Sequence, residues 1–362
     1  MTITEAQTSA AIDLADRLFE AAIGTLELFG VFLGTQLGLY DQIVRAGDVT
    51  EGTLAERAGI HPRYSREWLE QQAVAGIIAV DDATASPEAR RYSIPAEHIG
   101  TLVDPEDPSH VAPFGSMVVG IAQALDLVVE AFRSGEGVAY PNYGEHFRTG
   151  QGGINRPAFT SDLVAAWLPA AGLSSRLASG ATVLDIGMGH GWSSVAVKRS
   201  WPTTNVIGID SDEASVAEAR DRAAVSGVDV RFEVVDAANP LESVVEEPVD
   251  VALVLEALHD MSRPVDALRS IRERLAPDGM VIVADEAVAD EFVAPGDELE
   301  RMMYGWSISH CLPVAMAEPD SAAIGTAIRH HTVVEIAAEA GYSSCEVVDV
   351  DGGFFRIYAL RP

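Results

Sequence analysis

The sequence predicts an α/β chain, a Rossmann-like, seven-stranded sheet with an N-terminal helical winged-helix domain, on three observations: alternating strands and helices, a glycine turn and a helical front end. From about residue 175 onward, short Val/Ile/Leu runs alternate with amphipathic stretches, the sign of a parallel sheet with crossover helices. Ala181–Ile186, ATVLDI, runs straight into glycines at 187, 189 and 191. Residues 33–100 read as three short helices closed by a hairpin, the pattern of a winged helix. At 362 residues the chain is long for one core. Three segments are expected: 1–100, a helical winged-helix domain that dimerises; 101–175, a helical linker lining a cleft; and 176–362, the sheet domain.

The opening twenty residues, MTITEAQTSAAIDLADRLFE, place no basic region before an apolar core and so do not read as a signal peptide. Ala21–Tyr40 is apolar and carries Gly30, Gly34 and Gly38 at four-residue spacing, like a small-residue membrane face. Glu27, Thr35 and Gln36 lie within it and no cationic flank anchors it, so it reads as a buried soluble helix.

Within the winged helix, Leu33–Arg45 predicts one helix, and Thr50–Ala58 a second, capped by Thr50 and stopped by Gly59. Pro62 opens the third, PRYSREWLEQQAVAG. Ile77–Val80 and Arg91–Ile94 make the wing. A DNA reader presents cations on its third helix, yet Arg63 and Arg66 face Glu67 and Glu70. Residues 40–100 hold 10 Asp+Glu against 6 Arg and no Lys, a net of −4. DNA is not an expected partner.

The whole chain has 24 Lys+Arg and 55 Asp+Glu, a formal charge of −31 that opposes non-specific binding to phosphate polyanions. Its two cysteines, Cys311 and Cys345, make no disulfide framework and suit a reducing cytoplasm. Strands are expected at 181–186, 205–209, 230–235, 249–255, 280–285, 345–350 and 353–360, the last two joined by an Asp-Gly turn that makes an antiparallel edge. About 45 residues before a helix at 332–341 carry no strand signal and read as a lid.

Glycines at 187, 189 and 191 let the backbone turn tightly and approach a ligand, and the helix opening at Trp192–Ser193 aims free N–H groups at it. A nicotinamide dinucleotide fingerprint needs glycine where Trp192 stands, so the D-x-G-x-G-x-G turn favours S-adenosylmethionine. Asp210 ends the second strand, placed to accept from ribose hydroxyls, and Asp236 ends the third, placed to accept from an adenine amino group.

With these motifs the chain resembles bacterial class I S-adenosylmethionine-dependent methyltransferases carrying an N-terminal winged helix. The resemblance spans RYSREWL, YGEHFRTGQGGINRPAF, DIGMGHG, LHDMSRP, LAPDGMVIVADE and SISHCLP. It implies glycine-loop contacts from Gly187, Gly189 and Gly191, ribose binding by Asp210, and adenine contacts from Asp236 and Ala237. Asp185, Ser211 and Glu256, at or beside the strand ends, complete the expected cofactor set. His259-Asp260 is similar to the LHDW segment of small-molecule O-methyltransferases, whose histidine is the general base, with Met261 standing in place of the tryptophan. Histidine titrates near neutrality, and methyl transfer needs alignment and a nucleophile relieved of its proton.

Met303, Tyr304, Trp306 and His310 in the lid, with Tyr143 ahead of the sheet domain, are the candidate acceptor pocket, since soft and aromatic side chains with a few polar heads suit a small molecule. His310, Cys311, His330 and His331 match no metal spacing, even with Asp285 and Glu286 near, so no metal is expected. The expected function is methyl transfer to an oxygen or nitrogen of a small, aromatic or polyketide-like acceptor by a cytoplasmic homodimer without membrane attachment. A cofactor-responsive regulator, a non-methylating S-adenosylmethionine enzyme and a NAD oxidoreductase stand as alternatives.

Overall fold

A computed structural model describes the backbone of residues 5–362 and the side chains of residues 13–362; the first residues of the segment read for a signal peptide lie outside the described residues. Two compact units emerge, one running to Ala122 and including Thr149–Ile154, the other Gln123–Arg148 with Asn155–Pro362. The sequence reading set its boundaries at 100 and 175 instead.

In the first unit, helices Glu5–Gln36, Leu39–Ala46, Glu51–Ala58 and Pro62–Val74 precede an antiparallel pair, β1 (Ala79–Val80) and β2 (Tyr92–Ser93). Thr50 caps the third helix in a reciprocal box with Thr53, and Gly59 ends it in the left-handed conformation. Where the sequence suggested one helix over 33–45, the chain breaks at Gly38, whose φ is 62°. The break returns Tyr40 onto Trp68, edge to face at 5.2 Å. Gly34 makes that possible, because a Cβ there would lie 2.5 Å from the Tyr40 ring. Leu39, Ile43, Leu54, Leu69 and Tyr92 complete this core.

The expectation of a buried first helix needs correcting. Within Ala21–Tyr40, Gly30 and Gly34 do pack closely, but Leu26, Leu33 and Leu37 are exposed. Among the described residues, Asp13–Gln36 and Phe114–Ser134 are long and apolar enough to cross a membrane by length and composition.

The second unit is built on β3 (Thr182–Ile186), β4 (Asn205–Asp210), β5 (Arg231–Val234), β6 (Val249–Leu255), β7 (Leu275–Glu286), β8 (Ser344–Val347) and β9 (Phe355–Arg361), in the order β5-β4-β3-β6-β7-β9-β8. The first five are parallel and β9 runs antiparallel to both β7 and β8. Alternate residues feed opposite faces. Leu184, Ile186, Val281 and Val283 pack beneath Leu268, Ile271 and Val333 on one side, while Val183, Val251, Leu253 and Ile282 meet Leu163, Trp167 and Val197 on the other. Covering both faces is why these strands read as unbroken apolar runs. Each buried aliphatic side chain contributes about 1.5–3 kcal/mol.

The order reverses between β3 and β6, so their carboxyl ends flank the crevice where open α/β sheets bind ligands. The segment read as a lid folds into helix Glu298–Trp306, capped by Asp297, and passes through a wide π turn, Ser307–Cys311, into Leu312–Ala315.

Candidate active site

At the end of β3, Gly187, Gly189 and Gly191 take φ values of 64°, 51° and 72°, a run that side-chain-bearing residues resist. A Cβ on Gly187 would sit 2.8 Å from the Ala257 methyl, and one on Gly191 2.9 Å from that of Ala219. At Gly189 a Cβ would meet nothing within 4 Å, so the turn is tight on two sides and open on the third. That opening is a cradle a bound nucleoside fits.

Asp185 is buried under the turn, and its Oδ2 accepts from the hydroxyls of Ser193 and Ser194, each at 2.6 Å. Burial pushes its carboxyl up to about 6, and Oδ1 has no partner among the described residues. Asp210 accepts from the Gly189 N–H at 2.9 Å and from the Asp212 N–H at 2.8 Å, tying β4 to the turn. Burial raises its pKa too. Ser211 is exposed beside it, while Ala237 is buried. Asp236 is exposed, accepts from the Ala238 N–H and pairs with Arg263 at 2.7 Å. Trp192, which displaces the dinucleotide glycine, lies between two guanidiniums, with Arg222 3.3 Å and Arg156 4.0 Å from its ring centre.

The ends of β6 and β7 gather the acid–base groups. His259 is almost fully buried; its Nδ1 meets Asp285 Oδ1 at 2.6 Å and its Nε2 faces Asp260 Oδ1 at 3.3 Å. Burial pulls its pKa down, but Asp285 and Asp260 outweigh that and hold it well above the usual imidazole value. Glu256 has a φ of 50°, donates its N–H to Ala284 O at 2.7 Å and accepts from the Asn155 amide. Burial lifts its carboxyl to about 7, against the pull of His259. Glu286 is buried and held far above the carboxylate range by burial and by Glu256; its Oε2 has no partner among the described residues.

Of the candidate pocket, Tyr143 and His310 meet. Their rings lie 4.5 Å apart, and His310 stacks on Phe147 at 3.8 Å with Tyr140 at its edge. Burial pulls His310 down to about 4, so it is neutral, and its Nε2 is unpartnered among the described residues. Tyr304 lies elsewhere, accepting from Arg329, which is paired with Glu300, and packing edge-on against Phe292. Met303 is buried and Trp306 half-buried. Cys311 faces the imidazole of His259, and burial pushes its thiol up to about 12.

The sequence reading missed Asp285 as the partner of His259, Asn155 as the partner of Glu256, and Tyr140 and Phe147 around His310. A usable signal existed for the first: two acids, Asp285 and Glu286, follow the apolar run 280–284 and close the strand at the ligand edge of the sheet.

Residues 177–341 match a family model described as a methyltransferase domain, and residues 25–103 one described as an Rv2258c-like winged HTH domain. A ubiquinone biosynthesis O-methyltransferase of Pseudomonas entomophila is 35% identical over 103 residues, 28% of this chain and 43% of that one. A trans-aconitate 2-methyltransferase of Methylobacterium nodulans is 32% identical over 141 residues, 38% of this chain and 50% of that one. The chain thus spans half or less of the length of these curated relatives. Among solved structures, the mitomycin 7-O-methyltransferase MmcR superposes with a TM-score of 0.68 at 19% identity, covering 98% of this chain and 99% of that one. Human N-acetylserotonin methyltransferase, in complex with SAM, gives 0.70 at 15% identity, covering 100% and 99%. At these identities the likeness shows a shared fold along the whole chain.

Proposed function

We propose, for a chain whose residues 177–341 belong to the methyltransferase-domain family and whose residues 25–103 belong to the Rv2258c-like winged HTH family, that it binds S-adenosylmethionine and methylates an oxygen or nitrogen of a small molecule. The observation that carries this reading is the glycine turn, closed on two sides and open at Gly189 above the ends of β3 and β4. When bound, S-adenosylmethionine supplies an electrophilic methyl group on a sulfonium. Gly187, Gly189 and Gly191 let the backbone approach it, Asp185 braces the turn from below, and Asp210 fixes Gly189 and offers its remaining lone pairs to ribose hydroxyls. Ser211, Asp236, Ala237 and Glu256 line the rest of the cofactor side. An oxygen acceptor is favoured by the O-methyltransferase names of the relatives.

The acceptor's pocket includes Tyr143 and His310, with Met303, Tyr304 and Trp306 on the same lid. Its proton leaves to His259, the candidate general base, with Asp260 beside it as the second candidate catalytic residue. The winged helix serves packing rather than DNA, because Arg63, Arg66, Arg90 and Arg91 each pair with a carboxylate. A second copy of the chain covers the exposed Leu14, Leu18, Phe19 and Leu26. No membrane is needed, and two free cysteines suit the cytoplasm.

Calorimetry with S-adenosylhomocysteine and NADH, on the parent protein and on Gly187→Val, tests the cofactor. S-adenosylhomocysteine should bind and NADH should not. The valine, strained at that φ and in collision with Ala257, should weaken binding about 100-fold, equivalent to roughly 2–3 kcal/mol. Absence of S-adenosylhomocysteine binding to the parent overturns the reading.

A further inference from the structure

We infer that His259, Asp260 and Cys311 form a binding site for a zinc ion, which inhibits the enzyme by taking the lone pair that the base needs. The site stands on its geometry, and the inhibition rests on the methyl-transfer reading.

No spacing in the sequence announced this group. Folding makes it, by setting His259 and Asp260, in the loop after β6, against Cys311 at the end of the π turn. One ligand atom from each side chain, an imidazole nitrogen, a carboxylate oxygen and a sulfur, all lie within 4.8 Å of one another. Mixed nitrogen, oxygen and sulfur donors suit zinc, a borderline-soft ion, better than magnesium or calcium, which take oxygen ligands.

His259 Nε2 and Asp260 Oδ1 are 3.3 Å apart, yet Oδ1 is buried and makes no hydrogen bond among the described residues. A nitrogen and an oxygen bound to tetrahedral zinc stand about 3.3–3.5 Å from each other, so these two atoms already span one edge of such a site. The other three-ligand group, His259 with Asp285 and Glu286, fails on the same distance. There Nδ1 and Asp285 Oδ1 meet at 2.6 Å, a direct hydrogen bond with no width for an ion between them. That bond does what the carboxylate behind a ligating histidine does: it keeps the proton on Nδ1, fixes the ring and aims Nε2 at the metal. His310 supports the sulfur, its Nδ1 lying 3.4 Å from Cys311 Sγ.

The ion enters past Asp260, whose side chain is 22% exposed against 1% for His259. Held by one carboxylate, one thiolate and one neutral imidazole, zinc forms a complex with no net charge, which a buried site tolerates. It displaces the protons of the thiol and of Nε2 to solvent, while Nδ1 keeps its own. With zinc on Nε2, no lone pair is left for the acceptor's proton, and methyl transfer stops.

Cobalt(II) is the probe, because it takes the place of zinc and its bond to a thiolate absorbs strongly in the near ultraviolet. The full chain, stripped with chelator and given one equivalent of cobalt, should show that band, and zinc should bleach it. The band should persist in Cys345→Ser and be lost in Cys311→Ser. Competition with a chromophoric chelator should show zinc binding weakened about 100-fold or more by Cys311→Ser or Asp260→Ala, the upper end of what losing a mere partner of a ligand costs. In nitrogen-15 spectra of histidine-labelled protein, zinc should replace the proton on His259 Nε2 and leave that on Nδ1. A parent without the band overturns the site, whether or not the variants fold, and so does a band that survives Cys311→Ser. Zinc that binds but leaves His259 Nε2 unchanged overturns the inhibition. If S-adenosylhomocysteine fails to bind the parent in calorimetry, the methyl-transfer reading fails instead, and the cobalt band still decides the site.

Discussion

The winged helix and the ends of β6 and β7 place carboxylates in opposite ways. In the winged helix the arginines stand opposite acids at or near the surface: Arg63 with Glu67, Arg66 with Glu51 and Glu70, Arg90 with Glu70, Arg91 with Asp48. At the sheet edge Glu256, Asp260, Asp285 and Glu286 crowd around one imidazole, with Asp285 and Glu286 almost fully buried. Exposed pairs contribute about 0–1 kcal/mol each, while buried ionised groups cost several unless paired. The first arrangement neutralises the arginines of that surface. The second keeps charge where it destabilises the fold, which is how chemistry-bearing sites differ from packing surfaces.

The contrast breaks most visibly at Asp285. Asp285→Asn leaves a buried imidazole without its carboxylate and should destabilise the protein by about 3–5 kcal/mol, read by urea unfolding near neutral pH. Because His259 is held above its ordinary pKa, the stabilisation it brings is complete below the unfolded-state value and is lost as pH rises through the folded one. The Asp285→Asn penalty should therefore shrink in alkali. A penalty that does not change with pH would show that the pair is not ionised.

A smaller effect of opposite sign is expected at Glu286. Its carboxyl is also raised, so the parent is fully stable with respect to this group below about pH 4, the unfolded glutamate range, and loses stability as pH climbs toward the folded value. Glu286→Gln lacks that loss. It should match the parent near pH 4 and exceed it by about 1–2 kcal/mol at pH 8, measured by urea unfolding at the two pH values. Equal stability at pH 8 would mean the carboxylate finds a compensating partner. The smallest effect belongs to the surface pairs. Arg66→Ala should change stability by about 0.5 kcal/mol or less and should leave the protein without salt-dependent retention of duplex DNA, checked by unfolding and gel shift.

Much of this contrast was visible before folding. The −4 balance over 40–100 and the Arg63/Glu67 spacing already announced a neutralised third helix. The seven strands were legible because both faces of the sheet are covered, which demands unbroken apolar runs. Harder to see was the break at Gly38, since a helix-length apolar stretch does not reveal that Tyr40 must fold back onto Trp68. The lid was legible only as a gap between strands. Which of its side chains turn inward depends on a π turn at Ser307–Cys311 that no periodicity signals, and it separates His310 from Tyr304.

By itself the sequence determined the sheet, the glycine turn and the identity of the residues at each strand end, because local spacing and burial pattern are properties of a single stretch of chain. Only the tertiary structure decided what those residues do to one another. Asp285 lies 26 positions from His259 and Asn155 101 positions from Glu256. Proton affinity is set by burial and by charges a few ångströms away, and those distances are fixed when β6, β7 and helix Gly144–Pro157 come together.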